Sequence, residues 1–256
     1  MVVIDVYQYP VKGIPGTRLD GTVLRPALGV PGDRRFGIAR GGGGPGPVSL
    51  LGLTRHSRLA TLAADFDAHN NILAISRQGR PVARGDVTAP AGRATIEQFL
   101  SAYLEKELNG PARLMDAAAT AAVGATGTDG HAPALATELA FSDPAHETVS
   151  IINLASVRDL ERVVGARVDR RRFRANFYVD NIPAWSEFEW IGKTIGLGEA
   201  TLRVTERTER CAATNVNPDT AARDMNIPLA LRRGFGHMDL GVYAVVVDGG
   251  QVVAES

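Results

Sequence analysis

Thr148–Ser156 reads TVSIINLAS, and this stretch decides how the chain is read. Four β-branched residues within Thr148–Ile152 predict a strand. Asn153 or Ser156 then offers an N-cap for a helix of roughly three turns, which Gly165 ends. Toward the C-terminus, Phe177–Val179, Ala200–Val204 and Gly241–Val247 predict more strands. Asp248-Gly249-Gly250 reads as a turn before a last strand, Gln251–Ala254. Toward the N-terminus, Asp116–His131 is mostly Ala, Gly and Thr, which reads as a linker with little apolar surface to bury.

Before that linker, Val2–Tyr9 is rich in β-branched and aromatic residues and stops at Pro10, the signature of a strand. Arg40–Pro47 (RGGGGPGP) reads as a loop. Leu59–Ala64, Ile72–Ile75 and Pro81–Val87 predict a small meander, turning at Asn70-Asn71. Thr95–Leu108 predicts a helix, with Thr95 and Gln98 as a capping box and Ile96, Phe99, Leu100, Tyr103 and Leu104 as its apolar stripe. Many short strands with few helices give a mainly β fold with some helix (α+β), of barrel or sandwich type. The expected division is residues 1–115, a linker at 116–135, and residues 136–256.

The chain has 256 residues, with 28 Lys+Arg against 28 Asp+Glu, so no net field draws it to nucleic acid or to a membrane surface. The opening MVVIDVYQYPVKG carries Asp5 and no long apolar run, which predicts neither secretory signal nor anchor and a cytoplasmic protein. Gly192-Lys193-Thr194 lacks the upstream glycine of a phosphate-binding loop, because Glu187 stands there. Gly196-Leu197-Gly198 lacks the third glycine of a dinucleotide fingerprint. The five histidines, His56, His69, His131, His146 and His237, share no metal-ligand spacing.

Three clusters survive these exclusions. Glu209–Pro218 (ERCAATNVNP) holds the one cysteine, Cys211, flanked by Arg207 and Arg210 with Thr208, Thr214 and Asn215 nearby. Cations and polar groups around a thiol favour the form that binds soft metals or attacks electrophiles. Arg167–Asn176 (RVDRRRFRAN) would, as a strand, point Arg172, Arg174 and Asn176 to one side, an anion site with an amide beside it. Tyr9–Gly13 (YPVKG) and Gly32–Phe36 (GDRRF) are two turns that carry cations.

The series YPVKG, GDRRF, SIINLAS, RRFRANF, ERCAATNVNP and LGVY resembles, in order and spacing from about Val3 to Val247, proteins with a MOSC domain preceded by its N-terminal β-barrel region. That family includes the mitochondrial amidoxime-reducing component and bacterial reductases of N-hydroxylated bases. The resemblance implies a β-barrel MOSC domain behind a β-rich N-terminal subdomain, and a bound molybdenum cofactor (molybdopterin). It implies Cys211 as molybdenum ligand and catalytic centre, and Arg174 and Asn176 as holders of the pterin. Lys12 and Arg34 or Arg35 match cations near the cofactor's phosphate and pterin. Ser156 and Thr214 match polar pocket positions, and Arg172 and Thr208 are further candidates. Gly13 stands where the amidoxime reducers carry serine, and Gly236-His237-Met238-Asp239 is unusual before LGVY. The implied activity is reduction of N–O or oxo groups in a small-molecule substrate, fed by a separate flavin or iron–sulfur reductase. The alternative is a non-catalytic carrier of molybdenum cofactor or of persulfide sulfur.

Overall fold

The computed structural model describes residues 1–26, 28–41, 49–108, 110–117 and 148–255. The glycine-rich stretch 42–48 and most of the expected linker, from 118 onward, lie outside the described residues. The strands are β1 Val2–Gln8, β2 Thr17–Leu19, β3 Gly21–Leu24, β4 Phe36–Arg40, β5 Leu62–Asp67, β6 Ile72–Arg77, β7 Arg80–Asp86, β8 Ala112–Asp116, β9 Val149–Asn153, β10 Phe177–Asp180, β11 Thr194–Leu197, β12 Ala200–Glu209, β13 Asp239–Asp248 and β14 Gly250–Val253. The helices are α1 Pro90–Tyr103, α2 Leu154–Val164 and α3 Ile227–Phe235. This is an α+β protein dominated by strands.

Its contacts divide the chain into two units: Met1–Gln8, Gly16–Pro31 and His146–Ser256 form one, and Tyr9–Pro15 with Gly32–Ala145 form the other. The first three strands therefore join the C-terminal half, although the sequence groups them with residues 1–115. The cause is backbone pairing. β1 lies antiparallel to β10, with Val6 opposite Phe177, and β3 lies antiparallel to β14.

In the first unit the sheet order is β11-β12-β13-β9-β10-β1-β2, with β9 and β10 parallel. Alternation along each strand builds one core per face. Ile151, Phe177, Val179, Val242 and Ala244 point into a core shared with Leu24, Val30 and Val252. Ile152, Tyr178 and Leu240 point the other way, beneath Val157 and Leu160 of α2 and Ile227 and Leu231 of α3. α2 starts as the sequence suggests: the Asn153 side chain accepts from the Ala155 amide, and Gly165 closes the helix in the left-handed conformation. The Gly249-Gly250 turn does not fold β14 back onto β13. A Cβ at Gly249 would lie 2.6 Å from the Leu24 carbonyl oxygen. The glycines thus let the chain pass close to β3, which β14 joins instead.

The second unit pairs β4 with β8 and holds the expected meander, β5-β6-β7. Leu59 itself falls in a 3-10 turn, Ser57–Thr61, before β5. α1 starts five residues earlier than Thr95, because Pro90 occupies the first turn, where its fixed φ and missing N–H cost nothing. Thr95 therefore sits inside the helix, donating to the Ala91 carbonyl, and caps nothing.

Candidate functional site

β12 carries the sequence toward Cys211, and Arg210 fixes where it ends. The Arg210 side chain is buried. Its Nε donates to the Leu240 carbonyl at 2.8 Å and Nη1 to the Phe173 carbonyl at 3.2 Å, while Nη2 also reaches Leu240. Charge-assisted bonds of this kind pin the strand end to β13 and to the 3-10 turn Arg170–Phe173. Gly241 is required beside it: its φ is 81°, and a Cβ there would meet the Ile151 carbonyl oxygen at 2.5 Å. The two guanidinium groups that the sequence sets beside the thiol are thus committed to the fold. Arg207 lies over the Phe188 ring, 4.3 Å from its centroid, and 3.7 Å from the Asp239 carboxylate.

Cys211 follows in extended conformation and is exposed. Its carbonyl accepts from the Thr214 amide at 3.1 Å and from Thr214 Oγ1 at 2.8 Å, and its side chain makes no capping bond to the 3-10 turn Ala212–Asn215. The thiol is left to solvent while the backbone beneath it is tied. Arg172 braces the same turn: Nη1 donates to the Asn215 carbonyl at 3.1 Å and Nη2 to Asp224 at 2.7 Å. Burial pushes the Asp224 carboxyl up, but hydrogen bonds from Asn217 and Arg172 outweigh it and hold the group below its ordinary range.

Two polar atoms in this neighbourhood are buried without a hydrogen-bond partner, Arg172 Nε and Thr208 Oγ1. Thr208 sits where the β12–β13 register slips between Arg207 and Glu209, three residues before Cys211. Leaving a buried donor unmade costs about 1–3 kcal/mol.

The segment Arg172–Asn176 is not a strand. Arg170–Phe173 form a 3-10 turn started by Asp169, Arg174 follows in the left-handed conformation at φ 54°, and β10 begins only at Phe177. Alternation therefore cannot sort these side chains; the polar cap of Asp169 wins over β propensity. Arg174 is half-buried. The Asn176 side chain is buried in the sheet, where Oδ1 accepts from the Ser150 amide and hydroxyl at 3.0 Å each and Nδ2 donates to the Tyr7 carbonyl at 3.3 Å. Ser156, on α2, gives its hydroxyl proton to the Glu187 carboxylate and accepts from the Trp185 amide at 2.8 Å.

Lys12, Arg34 and Arg35 belong to the other unit. There the Lys12 and Arg34 amides donate to the Phe36 and Tyr9 carbonyls, which brings the YPVKG and GDRRF turns together as the sequence pairs them. Arg34 pairs with Asp33 and lies over the Tyr9 ring. Arg35 makes a two-pronged pair with Asp116, at 3.2 and 3.0 Å, and covers the Phe36 and Phe66 rings.

Sequence reasoning missed Glu187. It is fully buried, with Asn153 Nδ2 at 3.0 Å and Ser156 Oγ at 2.7 Å. Burial pushes its carboxyl above the ordinary range, and the Asn153 and Ser156 bonds only partly pull it back. The folded protein then holds this proton to higher pH than the unfolded chain does. Stability contributed here is full below the unfolded value and falls as pH rises through the folded one. Glu187→Gln abolishes that titration. Urea unfolding between about pH 5 and about pH 8 should show wild type losing stability relative to the variant as pH rises. A difference that is flat with pH would rule this account out.

The structure thus defines an α+β domain that presents one exposed cysteine just past the end of β12. Residues 136–255 match the family model of the MOSC domain, and that part of the chain is a MOSC domain. The MOSC family is associated with molybdenum-cofactor sulfurases and cofactor-binding proteins. No curated protein matches the chain. Among solved structures, YiiM from Geobacillus stearothermophilus is similar at 15% identity and a TM-score of 0.33, over 41% of this chain and 50% of that one. The YuaD protein from Bacillus subtilis is similar at 11% identity and a TM-score of 0.42, over 98% of this chain and 90% of that one. The chain therefore spans half the length of YiiM. Among the described residues there is no cluster of three or more His, Cys, Asp and Glu side chains placed for a metal, and no helix long and apolar enough to cross a membrane.

Proposed function

We propose that this protein binds molybdenum cofactor through Cys211 and is an oxidoreductase that reduces N-hydroxylated or other N–O and oxo groups in small molecules. The observation that carries the reading is the pairing of an exposed Cys211 with the buried, unpartnered Thr208 Oγ1 and Arg172 Nε in a MOSC domain. A thiolate suits a soft metal, and unmet donors suit an anionic, heteroatom-rich ligand. When bound, the cofactor supplies two-electron redox chemistry at molybdenum.

The chain's own part is to hold and orient. Thr214 and Arg172 fix the backbone of the Cys211 turn, so the thiol is presented at a set position. Arg172 Nε and Thr208 Oγ1 offer hydrogen bonds to the cofactor. Arg174 adds a cation from a turn whose left-handed end is set by the Arg171 carbonyl. Asn176 supports this reading as a positioning residue, since its side chain ties β10 to β9 and β1 just after Arg174.

Metal and pterin analysis of protein made in a host that synthesises the cofactor tests the first half. About one molybdenum and one pterin per chain is the expected result. Turnover of an amidoxime with an artificial electron donor tests the second. Full metal occupancy without turnover of any N–O substrate would replace the enzyme by a carrier of cofactor or sulfur.

A further inference from the structure

We infer that His237, Trp185, Phe188 and Phe235 form a recognition subsite beside Cys211 for planar, conjugated substrates. This rests on the redox reading above only for what happens after the substrate binds. The unusual Gly236-His237-Met238-Asp239 stretch supplies its key residue.

Strand register sets the place. Glu209 stands opposite Asp239, and the Arg210 amide donates to the Met238 carbonyl at 2.9 Å. Cys211 and His237 are the next residues beyond that bond, just outside the ends of β12 and β13. The rings are then gathered around His237. Its centroid is 5.6 Å from Trp185 and 5.4 Å from Phe188, both edge-on, and 6.2 Å from a nearly parallel Phe235. Trp185 and Phe235 are themselves 4.4 Å apart. All four rings are half-buried. Trp185 and Phe235 pack on the core beneath the helices and Phe188 on the opposite core, while His237 belongs to neither.

The cluster is held rigidly. Trp185 sits at φ 68°, an unfavourable backbone for a bulky residue. It is kept there by Ser156 Oγ at its amide and by Asp159 at its indole N–H, each at 2.8 Å. Backbone strain sustained by such anchors concentrates at functional places. The His237 ring is oriented too: Nδ1 accepts from the Asp239 amide at 3.1 Å, which leaves the neutral ring's proton on Nε2. Among the described residues Nε2 has no hydrogen-bond partner. Three aromatic rings, one oriented N–H donor and a guanidinium over Phe188 make an apolar wall with one polar handle, the composition of a small-molecule site. The ligand it fits is flat, π-conjugated and bears an acceptor atom near its ring, so an aromatic amidoxime suits it and an aliphatic one does not.

The test uses the full chain purified from a cofactor-synthesising host. The sequence has two tryptophans, so Trp190→Phe leaves Trp185 as the sole reporter. Benzamidoxime and acetamidoxime, which differ by the ring, are titrated against its emission, with calorimetry on the unmutated chain in parallel. Benzamidoxime should quench saturably and bind at least about tenfold tighter than acetamidoxime. His237→Ala should weaken benzamidoxime about tenfold, and His237→Phe should recover part of that loss by restoring a ring without the donor. Molybdenum content should not change in either variant. Equal binding of the two probes, or unchanged binding by His237→Ala, overturns the subsite. Ring-selective binding by a chain that holds no molybdenum keeps the subsite and removes the redox reading instead.

Discussion

Cys211→Ser should empty the protein of molybdenum while leaving the fold intact. The two halves of that result have separate causes. The Cys211 side chain is exposed and makes no capping bond, while its backbone is held by Thr214 through the carbonyl alone. A serine there keeps every one of those bonds, so unfolding free energy should change by less than about 0.5 kcal/mol, as for other surface substitutions. A hydroxyl, by contrast, is a harder donor than a thiol and is far less readily deprotonated, so it is a poor ligand for a soft metal. Metal content should drop by at least about tenfold. The contrast with Arg172→Ala is informative. That change removes a buried charge tied to Asn215 and Asp224, so it should lose metal and stability together. Metal retained at the wild-type ratio in folded Cys211→Ser would show that the thiol is not the ligand.

Strands and the second helix were legible because their signals are local. Alternation and β-branching mark β1, β6, β10, β12 and β13, and Asn153 and Gly165 bracket α2 through caps that need only neighbouring backbone. The α1 start was misplaced for a local reason as well, since the capping-box pattern at Thr95 competed with Pro90 and lost. Partnership was harder. Nothing in Gly21–Leu24 or Gly250–Val253 names the other as its neighbour, and the pairing rests on Gly249 passing close to the Leu24 backbone. The same holds around the cysteine. Its motif is visible as residue types, but the arginine run beside it reads as a strand until Asp169 is seen capping a turn. Arg210 reads as a charge beside the thiol, yet its donors go to the carbonyls of residues 173 and 240. Glu187 carries no signal as a site residue, and His237 reads only as part of an unusual stretch, because each gains its meaning from contacts far along the chain.

The second large effect concerns electron supply, and it follows from a count. Reducing an N–O bond to an amine and water takes two electrons and two protons, and the centre must be recharged after each turnover. The sequence has one cysteine, which excludes an iron–sulfur cluster held by this chain, since such clusters need several thiolates. The two glycine-bearing stretches that could have bound a nucleotide are spoken for by the fold: Thr194–Leu197 is strand β11, paired with β12, and Gly198 turns the chain into β12. A phosphate-binding loop would need that backbone unpaired and opening a helix. Purified protein should therefore reduce an amidoxime or N-hydroxylated base with an artificial one-electron donor, and should do so at least about a hundredfold more slowly with NADH alone. Adding a separate flavin or iron–sulfur reductase from the same cell should restore the rate with NADH. Steady NADH oxidation by the isolated chain would refute this, because it would require a nucleotide site within these residues. The remedy by a second protein is what separates a redox centre waiting for its donor from a fold that merely stores the cofactor: a store gains nothing from a reductase.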